Sequence, residues 1–283
     1  MALTRTKINE LLERHGLTPS RALGQNFLAD GAMIDKIVRL AGVGPGDLVV
    51  EIGPGLGSLT LGLCRAGAEV VAIEIDRYLI PALQEVVGRF EATGHQPVAA
   101  DRSGSVKLIN ADVRQVDWDQ LLDGRSAKVV ANLPYNIATP LILDLLVAEP
   151  RLTTWLVMVQ REAGERLVAG PGSKTYGIPS VLLSYWAEAR IVGSVRPELF
   201  LPRPKVESVL VRIERSPRPR VDADFDRLAQ LVRTSFGQRR KMLRRSLAPS
   251  VTIAQLEAAA IEPTARPEEL AIEDWARLAN VAP

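Results

Sequence analysis

Residues 47–57 read DLVVEIGPGLG, a short apolar run that passes directly into a glycine-rich turn. The run Asp47–Ile52 is bounded by Gly44-Pro45-Gly46 before it and by Gly53 after it, which predicts a buried strand. Ser58–Ala66 has helical periodicity, so the turn joins a strand to a helix. Glycines at such a junction permit positive φ angles and let the backbone approach a ligand closely. The stretch therefore predicts a strand–turn–helix unit with a ligand site at its turn.

The same alternation of apolar runs and longer mixed segments continues along the first two thirds of the chain. Strands are predicted at Glu69–Ile75, Val106–Asn110, Lys128–Ala131, Trp155–Val159 and Ser208–Glu214, and helices at Tyr78–Phe90, Thr139–Ala148, Arg161–Val168 and Ile178–Ala187. The last strand alternates apolar and polar residues, which favours a position near a sheet edge. Gly94–Ser105 is expected to be a surface loop, a tolerated insertion. The pattern indicates an α/β domain with a mostly parallel sheet.

The pattern changes after Arg215. Residues 216–220 read SPRPR, a composition typical of a linker. Only helix-period segments follow, and helices are predicted at Phe225–Phe236, Arg239–Leu247 and Ile253–Ala260. We therefore divide the chain into an α/β domain, residues 1–215, and a small all-α C-terminal domain, residues 216–283.

Composition excludes several classes of protein. The chain has 283 residues, of which 47% are hydrophobic and 24% charged, with a net charge of +2. Met1–Leu17 contains no uninterrupted apolar segment of the kind that signal peptides have, and no stretch is apolar enough to span a membrane. A single cysteine, Cys64, excludes a disulfide framework and a cysteine-rich zinc site. We expect a cytoplasmic enzyme without a metal.

The distribution of charge is more informative than its sum. Residues 196–250 contain 14 Lys and Arg against 6 Asp and Glu, whereas residues 251–283 contain 2 against 6. A basic block of this kind is typical of a nucleic-acid partner. The alternative is a solvated helix face with scattered arginines, and charge alone leaves both open.

The glycine-rich turn indicates a nucleoside ligand. A dinucleotide fingerprint would have a glycine at position 58, where this chain has Ser58, so a pyrophosphate at the helix start is disfavoured. Glu74 closes the second strand, 21 residues after Gly53, where an acidic side chain can accept hydrogen bonds from a ribose diol. Three interpretations remain: an S-adenosylmethionine site, a dinucleotide site and a tight structural turn.

Asn132-Leu133-Pro134-Tyr135 follows the strand predicted at Lys128–Ala131 and carries the chemistry. An adenine amino nitrogen is a poor nucleophile because its lone pair is delocalised into the ring. The Asn132 side-chain oxygen and the Leu133 carbonyl could hold the amino hydrogens and turn the lone pair toward a methyl sulfonium. Pro134 would stiffen the turn, and Tyr135 would stack on an extracted base. The alternative is a strand-end turn with a half-buried tyrosine.

Such a reaction depends on positioning and electrostatics rather than on a covalent intermediate. The two histidines, His15 and His95, lie outside every motif, and neither is a good candidate base. Cys64 lies on the helix after the glycine turn, where a buried thiol is the better interpretation than a nucleophile.

At the turn 132–135 the chain resembles the ribosomal RNA adenine N6,N6-dimethyltransferase family, and further segments agree in order. These are Arg21–Leu28 (RALGQNFL), the glycine turn, Glu74, Asn110-Ala111-Asp112, Gln160-Arg161-Glu162, Phe200–Ser208 (FLPRPKVES) and Phe236–Lys241 (FGQRRK). The resemblance extends over roughly residues 20–275. It implies a seven-stranded, Rossmann-like class I methyltransferase sheet with a helical RNA-binding domain. Residues 1–30 would form an N-terminal cofactor segment.

The resemblance also implies roles for individual residues. S-adenosylmethionine would be bound by Gln25, Asn26, Leu28, Gly53, Gly55, Glu74, Asp112 and Asn132, with Asp112 holding the adenine amino group of the cofactor. The ring of Phe200 would stack on the target adenine beside the catalytic turn. RNA contacts are assigned to Arg203, Lys205, Arg239, Arg240 and Lys241.

Within the family, the chain looks most similar to the bacterial branch that dimethylates two adjacent adenosines near the 3′ end of small-subunit ribosomal RNA. The partner would be a pre-ribosomal small subunit, and the protein a monomer. One alternative is the branch that methylates large-subunit ribosomal RNA and confers macrolide resistance. The long motif Phe200–Ser208 and the segment Gln238–Lys241 favour the small-subunit branch. The other alternative is a non-catalytic ribosome-assembly or transcription factor with the same fold, which the intact Glu74 and Asn132–Tyr135 disfavour.

Overall fold

A computed structural model describes residues 3–92, 104–248 and 250–282 of the chain. The expected surface loop Gly94–Ser105 lies outside the described residues up to residue 103, and so does His95. Its last residue, Ser105, begins a strand.

Strands and helices alternate through most of the described chain. The strands are β1 (Phe27–Leu28), β2 (Leu48–Ile52), β3 (Glu69–Glu74), β4 (Ser105–Asn110), β5 (Ala127–Asn132), β6 (Leu152–Gln160), β7 (Ala187–Val195), β8 (Phe200–Leu201) and β9 (Ser208–Arg215). The helices are α1 (Arg5–Arg14), α2 (Gly31–Ala41), α3 (Ser58–Arg65), α4 (Ile80–Ala92), α5 (Trp118–Leu122), α6 (Ala138–Ala148), α7 (Arg161–Leu167), α8 (Ile178–Trp186), α9 (Phe225–Phe236), α10 (Leu243–Ser246), α11 (Ile253–Ala258) and α12 (Ile272–Val281).

The central sheet has seven strands in the order β4-β3-β2-β5-β6-β9-β7. β2 pairs in parallel with β3 and β5, β3 with β4, and β5 with β6. All five residues of β2 are buried, as expected for a central parallel strand whose two faces are covered. The carboxyl ends of β2, β3, β4 and β5 therefore lie along one edge, where open α/β sheets bind ligands. The predicted seven-stranded α/β fold is confirmed.

The elements predicted in the first two thirds of the chain match observed ones, but four further elements there were not predicted: the helices α1, α2 and α5 and the edge strand β7. The helix predicted to end at Ala187 ends at Trp186, because Ala187 is extended (φ −154°) and begins β7. The two-stranded pairing of β1 with β8 was also not predicted; it joins Leu28 to Phe200 and Phe27 to Leu201. These pairings are contacts between distant residues, which local periodicity does not report.

The helix predicted at Arg239–Leu247 is wrong over its first half. Residues 237–241 form turns, and α10 begins at Leu243. The Leu243 N–H donates to the Ala265 carbonyl (2.8 Å) and the Arg244 N–H to the Pro263 carbonyl (3.1 Å). Because these amides bond to a distant loop, they are not available to continue a helix from residue 239.

The chain forms two compact units. The first contains Met1–Gly164 and Arg190–Ile213, and the second contains Glu165–Ala189 and Glu214–Pro283. Aromatic contacts hold the second unit together, with Tyr185 against Phe225 (5.0 Å between ring centroids) and Tyr176 against Phe236 (6.1 Å). The predicted helical segment 216–283 lies in this unit together with an earlier segment of the chain. Its assignment as a separate RNA-binding domain stays a prediction.

Two buried clusters in the first unit support the ligand edge of the sheet. One packs Ile34 and Ile37 of α2 and Leu63 of α3 against strand residues such as Val49 and Val70. The other packs Ile8, Leu11 and Leu12 of α1 against Phe27, Leu56 and Leu79. The second cluster fixes the N-terminal segment beside the glycine turn. No helix in the described ranges is both long and apolar enough to cross a membrane.

Candidate active site

A cavity that is partly open to solvent lies at the carboxyl ends of the central strands in the first unit. All residues predicted to bind the cofactor line it: Gln25, Asn26, Leu28, Gly53, Gly55, Glu74, Asp112 and Asn132. They come from distant parts of the chain, and the sheet brings them together because parallel strands end at a common edge.

The glycine turn approaches the cavity with its backbone. Gly55 has a φ of +60°, a conformation that L-residues with side chains rarely adopt. A Cβ at Gly55 would lie 3.0 Å from the Phe27 ring, so the position excludes side chains for a second reason. Gly55 also donates its N–H to the Glu74 carboxylate (3.0 Å), which joins the turn to the end of β3.

Glu74 is prepared to accept hydrogen bonds from a diol. Its side chain is buried, Oε2 accepts the Gly55 N–H, and Oε1 accepts the Asp76 N–H at 2.9 Å. Burial raises the pKa of Glu74, and the backbone donors oppose that rise. Each carboxylate oxygen has a second lone pair, so Glu74 can still bind two ribose hydroxyls.

Asp112 lines the cavity as an ion paired with Arg114. Its Oδ1 accepts the Arg114 N–H (3.0 Å) and Nε (3.2 Å), and its Oδ2 accepts Nη2 (2.9 Å). These hydrogen bonds lower the pKa of Asp112. A carboxylate held from one side retains acceptor capacity for an adenine amino group.

Glu51 also lines the cavity, although no sequence motif predicts it. It is 1% exposed, and its Oε2 has no hydrogen-bond partner among the described residues. Burial raises its pKa to about 8, Thr60 opposes the rise, and Glu74 adds to it. Ser58 also lines the cavity, and its buried hydroxyl has no hydrogen-bond partner among the residues that the structure describes. The sequence does contain an indication of this role, because a glutamate stands inside the apolar run DLVVEI. A carboxylate is rarely fully buried unless it has a partner.

These groups fit S-adenosylmethionine. Glu74 supplies acceptors for a ribose diol and Asp112 an acceptor for an adenine amine. Glu51 and Ser58 leave unsatisfied polar atoms for the charged amino-acid end, and an unpaired buried polar atom is costly without a ligand. Within the described residues, no group of His, Cys, Asp and Glu is arranged to hold a metal ion.

The N-terminal segment joins this cavity to the turn after β5. The Asn132 Nδ2 donates to the Asn26 carbonyl at 3.0 Å. Two residues earlier, a Cβ on Gly24 would lie 3.4 Å from the Pro134 Cβ, so the segment passes close over the turn. The Gln25 Nε2 donates to Asp76 (2.7 Å), which attaches the segment to the loop after β3 as well. The segment and the turn therefore form one hydrogen-bonded wall of the cavity.

The turn after β5 is held on β6 and has, within the described part of the chain, two unpaired acceptors. Leu133 is buried and its N–H donates to the Met158 carbonyl (3.1 Å), which fixes the turn on β6. In the described residues, the Asn132 Oδ1 and the Leu133 carbonyl accept no hydrogen bond. Asn132 and Pro134 line the cavity. Tyr135 is half-buried, its hydroxyl lies 2.6 Å from that of Ser208, and burial raises its pKa.

The structure does not bring Phe200 into the site as predicted. Its side chain is 0% exposed and belongs to the main buried cluster of the first unit. Its backbone is held by the pairing with Leu28 and by Arg5, whose guanidinium donates to the Phe200 carbonyl at 2.9 Å. A base could stack on this ring only after the surrounding core had opened.

The residues assigned to RNA contacts differ in their surroundings. Lys205, Arg240 and Lys241 are exposed. The side chain of Arg203 is 65% exposed and forms an ion pair with Glu198. Arg239 is half-buried and donates to the Lys174 carbonyl (3.0 Å), with Glu268 3.6 Å away. Arg239 therefore has a structural role within the second unit.

Comparisons with known proteins find a matching family and several relatives. The family model described as ribosomal RNA adenine dimethylase matches residues 17–282. A protein of Leifsonia xyli subsp. xyli named ribosomal RNA small subunit methyltransferase A is 44% identical, covering 96% of this chain and 96% of that protein. A protein of the same name from Kineococcus radiotolerans is 42% identical, covering 99% and 92%. The crystal structure of the 23S rRNA methyltransferase ErmE is 25% identical, covers 90% of this chain and 99% of its own, and has a TM-score of 0.67. The cavity and the turn lie within the matched residues.

Proposed function

The chain belongs to the ribosomal RNA adenine dimethylase family, and on that premise we propose that it dimethylates N6 of two adjacent adenosines near the 3′ end of small-subunit (16S) ribosomal RNA. It is an S-adenosylmethionine-dependent enzyme. Its substrate would be a pre-ribosomal small subunit, on which it would act in the cytoplasm as a monomer during ribosome biogenesis.

The hydrogen bond from Asn132 to the Asn26 carbonyl is the observation that carries this proposal. Because the Asn132 amide nitrogen is engaged (3.0 Å), the orientation of the amide group is set and its Oδ1 remains available as an acceptor. Asn132 lines the same cavity as the predicted cofactor residues. The turn and the cofactor wall are thus one rigid arrangement, as transfer between two bound molecules requires.

The reaction needs little covalent participation from the protein. S-adenosylmethionine supplies an electrophilic methyl carbon on its sulfonium. The Asn132 Oδ1 and the Leu133 carbonyl would accept the N6 hydrogens of an unstacked adenine, which directs the nitrogen lone pair into the cavity. Tyr135 would limit the base to one plane by stacking. Acceptors placed before the reaction stabilise the charge that develops on N6 without reorganisation.

The choice of the small subunit rests on the relatives, and the choice of an RNA partner also on the charge pattern. The relatives at 42–44% identity are named as small subunit methyltransferases. The similarity to ErmE, at 25% identity, is lower and extends over the shared fold. The basic block at residues 196–250 supports an RNA partner in either case.

Replacing Asn132 tests the mechanism directly. We expect Asn132→Ala to reduce methyl transfer to purified small subunits by about 100- to 1000-fold, the usual effect of removing one preorganised partner of the transition state. Cofactor binding, measured by calorimetry, should persist because the other cavity residues remain. Normal turnover by this variant would refute the mechanism.

Asn136→Ala is the matched control. Asn136 directly follows the turn and donates to another carbonyl of the N-terminal segment, that of Ala22, at 3.4 Å. It should leave turnover within about threefold of wild type. The substrate is tested by offering the wild-type protein purified small and large subunits separately and mapping the modified nucleotides. Modification of the large subunit alone would support the macrolide-resistance branch, and no modification of either would support a non-catalytic assembly factor.

A further inference from the structure

The catalytic turn has a partner in the motif Phe200–Ser208, and it is the serine. The hydroxyl oxygens of Tyr135 and Ser208 lie 2.6 Å apart, a short hydrogen bond. Ser208 is the first residue of β9 and is 0% exposed. Neither side chain lines the cofactor cavity. The contact therefore lies outside the lining of the cofactor cavity.

A buried partner of this kind restricts the tyrosine ring. Tyrosine has two side-chain torsions, and fixing its hydroxyl fixes the tilt and the depth of the ring. Ser208 has little freedom of its own, because an unpaired hydroxyl in a fully buried position is unfavourable. The bond is therefore expected to hold one ring orientation rather than to follow the ring as it moves.

Ser208 itself is anchored by the preceding residue. The Arg161 N–H donates to the Glu207 carbonyl at 3.0 Å. The Arg161 guanidinium also donates to the Glu207 carboxylate, from Nε at 3.0 Å and from Nη2 at 2.8 Å. Arg161 follows β6, and β6 lies between β5 and β9 in the sheet. The catalytic turn thus follows β5, Arg161 follows β6, and Ser208 begins β9.

We propose that Ser208 is a positioning residue for methyl transfer: its hydroxyl holds the Tyr135 ring in the plane on which the target adenine stacks. This inference rests on the proposed function and deepens it. The motif Phe200–Ser208 then acts on the substrate through its last residue, whereas its first residue, Phe200, is part of the core. Ser208 touches no substrate and acts only through Tyr135.

A double-mutant cycle tests this role. Ser208→Ala, Tyr135→Phe and the double variant are compared with wild type in single-turnover methyl transfer to small subunits, with both substrates saturating. Each single variant should lower the rate constant about tenfold, and the double variant should be no slower than either single one. The KM for the cofactor, measured separately from rates at a series of cofactor concentrations, should stay unchanged, because neither residue lines the cavity. A merely structural role would not produce this split between rate and cofactor KM.

Ser235→Ala is the matched control. Ser235 is also 0% exposed and its hydroxyl donates to the Val232 carbonyl (3.0 Å) in the helical unit. Its loss should leave the rate constant unchanged. An unchanged rate in Ser208→Ala, or independent and multiplying losses in the double variant, would overturn the proposal.

The outcomes remain interpretable if Ser208→Ala does not fold. Tyr135→Phe removes only the other oxygen of the same bond from a half-buried position, and a rate equal to wild type in that variant overturns the proposal by itself. Failure of the wild-type protein to methylate small subunits would instead refute the proposed function. If the wild-type protein is active and the variants transfer methyl groups at the wild-type rate, only the role of Ser208 is refuted.

Discussion

We expect the cofactor cavity and the basic segment Phe236–Lys241 to recognise their ligands by opposite means. In the cavity, the carboxylates of Glu51 and Glu74 are buried, and their environment shifts their pKa values. In the basic segment, Arg240 and Lys241 are exposed. A small ligand is bound by groups arranged in advance at low dielectric, whereas a polyanion is attracted by surface charge that salt can screen. Changes in pH and added side-chain atoms should therefore affect stability and cofactor affinity at the cavity. Changes in ionic strength should affect RNA binding by the basic segment.

The largest expected effect concerns Glu51 and the stability of the protein without ligand. Its pKa is about 8 in the folded chain against an ordinary 4.5, so the folded state binds the proton more tightly. The contribution of Glu51 to the free energy of unfolding is therefore greatest below pH 4.5. It falls by about a few kcal/mol in all as the pH rises toward 8. Glu51→Gln should remove this decline, as measured by urea unfolding across a pH series.

Glu69→Gln gives a control of opposite sign. Glu69 begins β3 and is paired with Arg125 at 2.7 Å, which lowers its pKa. Its stabilising effect is present at neutral pH and is lost as pH falls. Because the pair is about half exposed, the change should be below about 1 kcal/mol. A decline toward pH 8 that persists in Glu51→Gln would show that another group causes it.

The next effect is steric and concerns the glycine turn. Gly55→Ala places a Cβ 3.0 Å from the Phe27 ring at a φ of +60°. We expect a loss of about 1–2 kcal/mol in stability and, by calorimetry, a loss of about tenfold in cofactor affinity, since the turn must shift. Gly42→Ala is matched to it, because Gly42 has a φ of +61° and nothing within 4 Å of the added carbon. It should lose stability without losing affinity, and equal affinity losses in both variants would contradict a local effect.

The cavity could be predicted from sequence better than the rest because its residues follow strands. Gly53, Glu74, Asp112 and Asn132 each lie at the carboxyl end of a strand, and a parallel sheet brings such ends to one edge. Strand prediction from apolar runs was therefore enough to group them. Which carboxylate is left unpaired, as at Glu51, depends on neighbours that only the folded chain supplies.

Phe200 and the segment after Phe236 show where local pattern is insufficient. Phe200 is buried because β8 pairs with β1, a strand near the start of the chain. The first half of the predicted helix 239–247 is absent because amides at 243 and 244 bond to residues 265 and 263. Arg239 is held by Lys174 in the same way. Motif matching identified the segments, but the long-range contacts decide which side chain of each segment is available.

The smallest expected effect concerns the basic segment and sharpens the contrast. Replacing Arg240 and Lys241 by glutamine should weaken binding to small subunits about tenfold at moderate salt. It should also reduce the slope of log K against log salt by about 0.7 for each phosphate that is no longer neutralised, as for single strands. Cofactor affinity should not change. Binding measured at a series of salt concentrations gives both quantities.

Arg239→Gln separates charge from structure within the same segment. The Arg239 guanidinium donates to the Lys174 carbonyl and lies near Glu268. Replacing Arg239 should therefore lower stability and leave the salt slope nearly unchanged. Arg89→Gln with Lys107→Gln, two exposed residues of the first unit, controls for net charge alone. If all three variants reduce the slope equally, the attraction comes from the charge of the whole protein. A reduction confined to Arg240 and Lys241 would place the phosphate contacts on these two exposed residues.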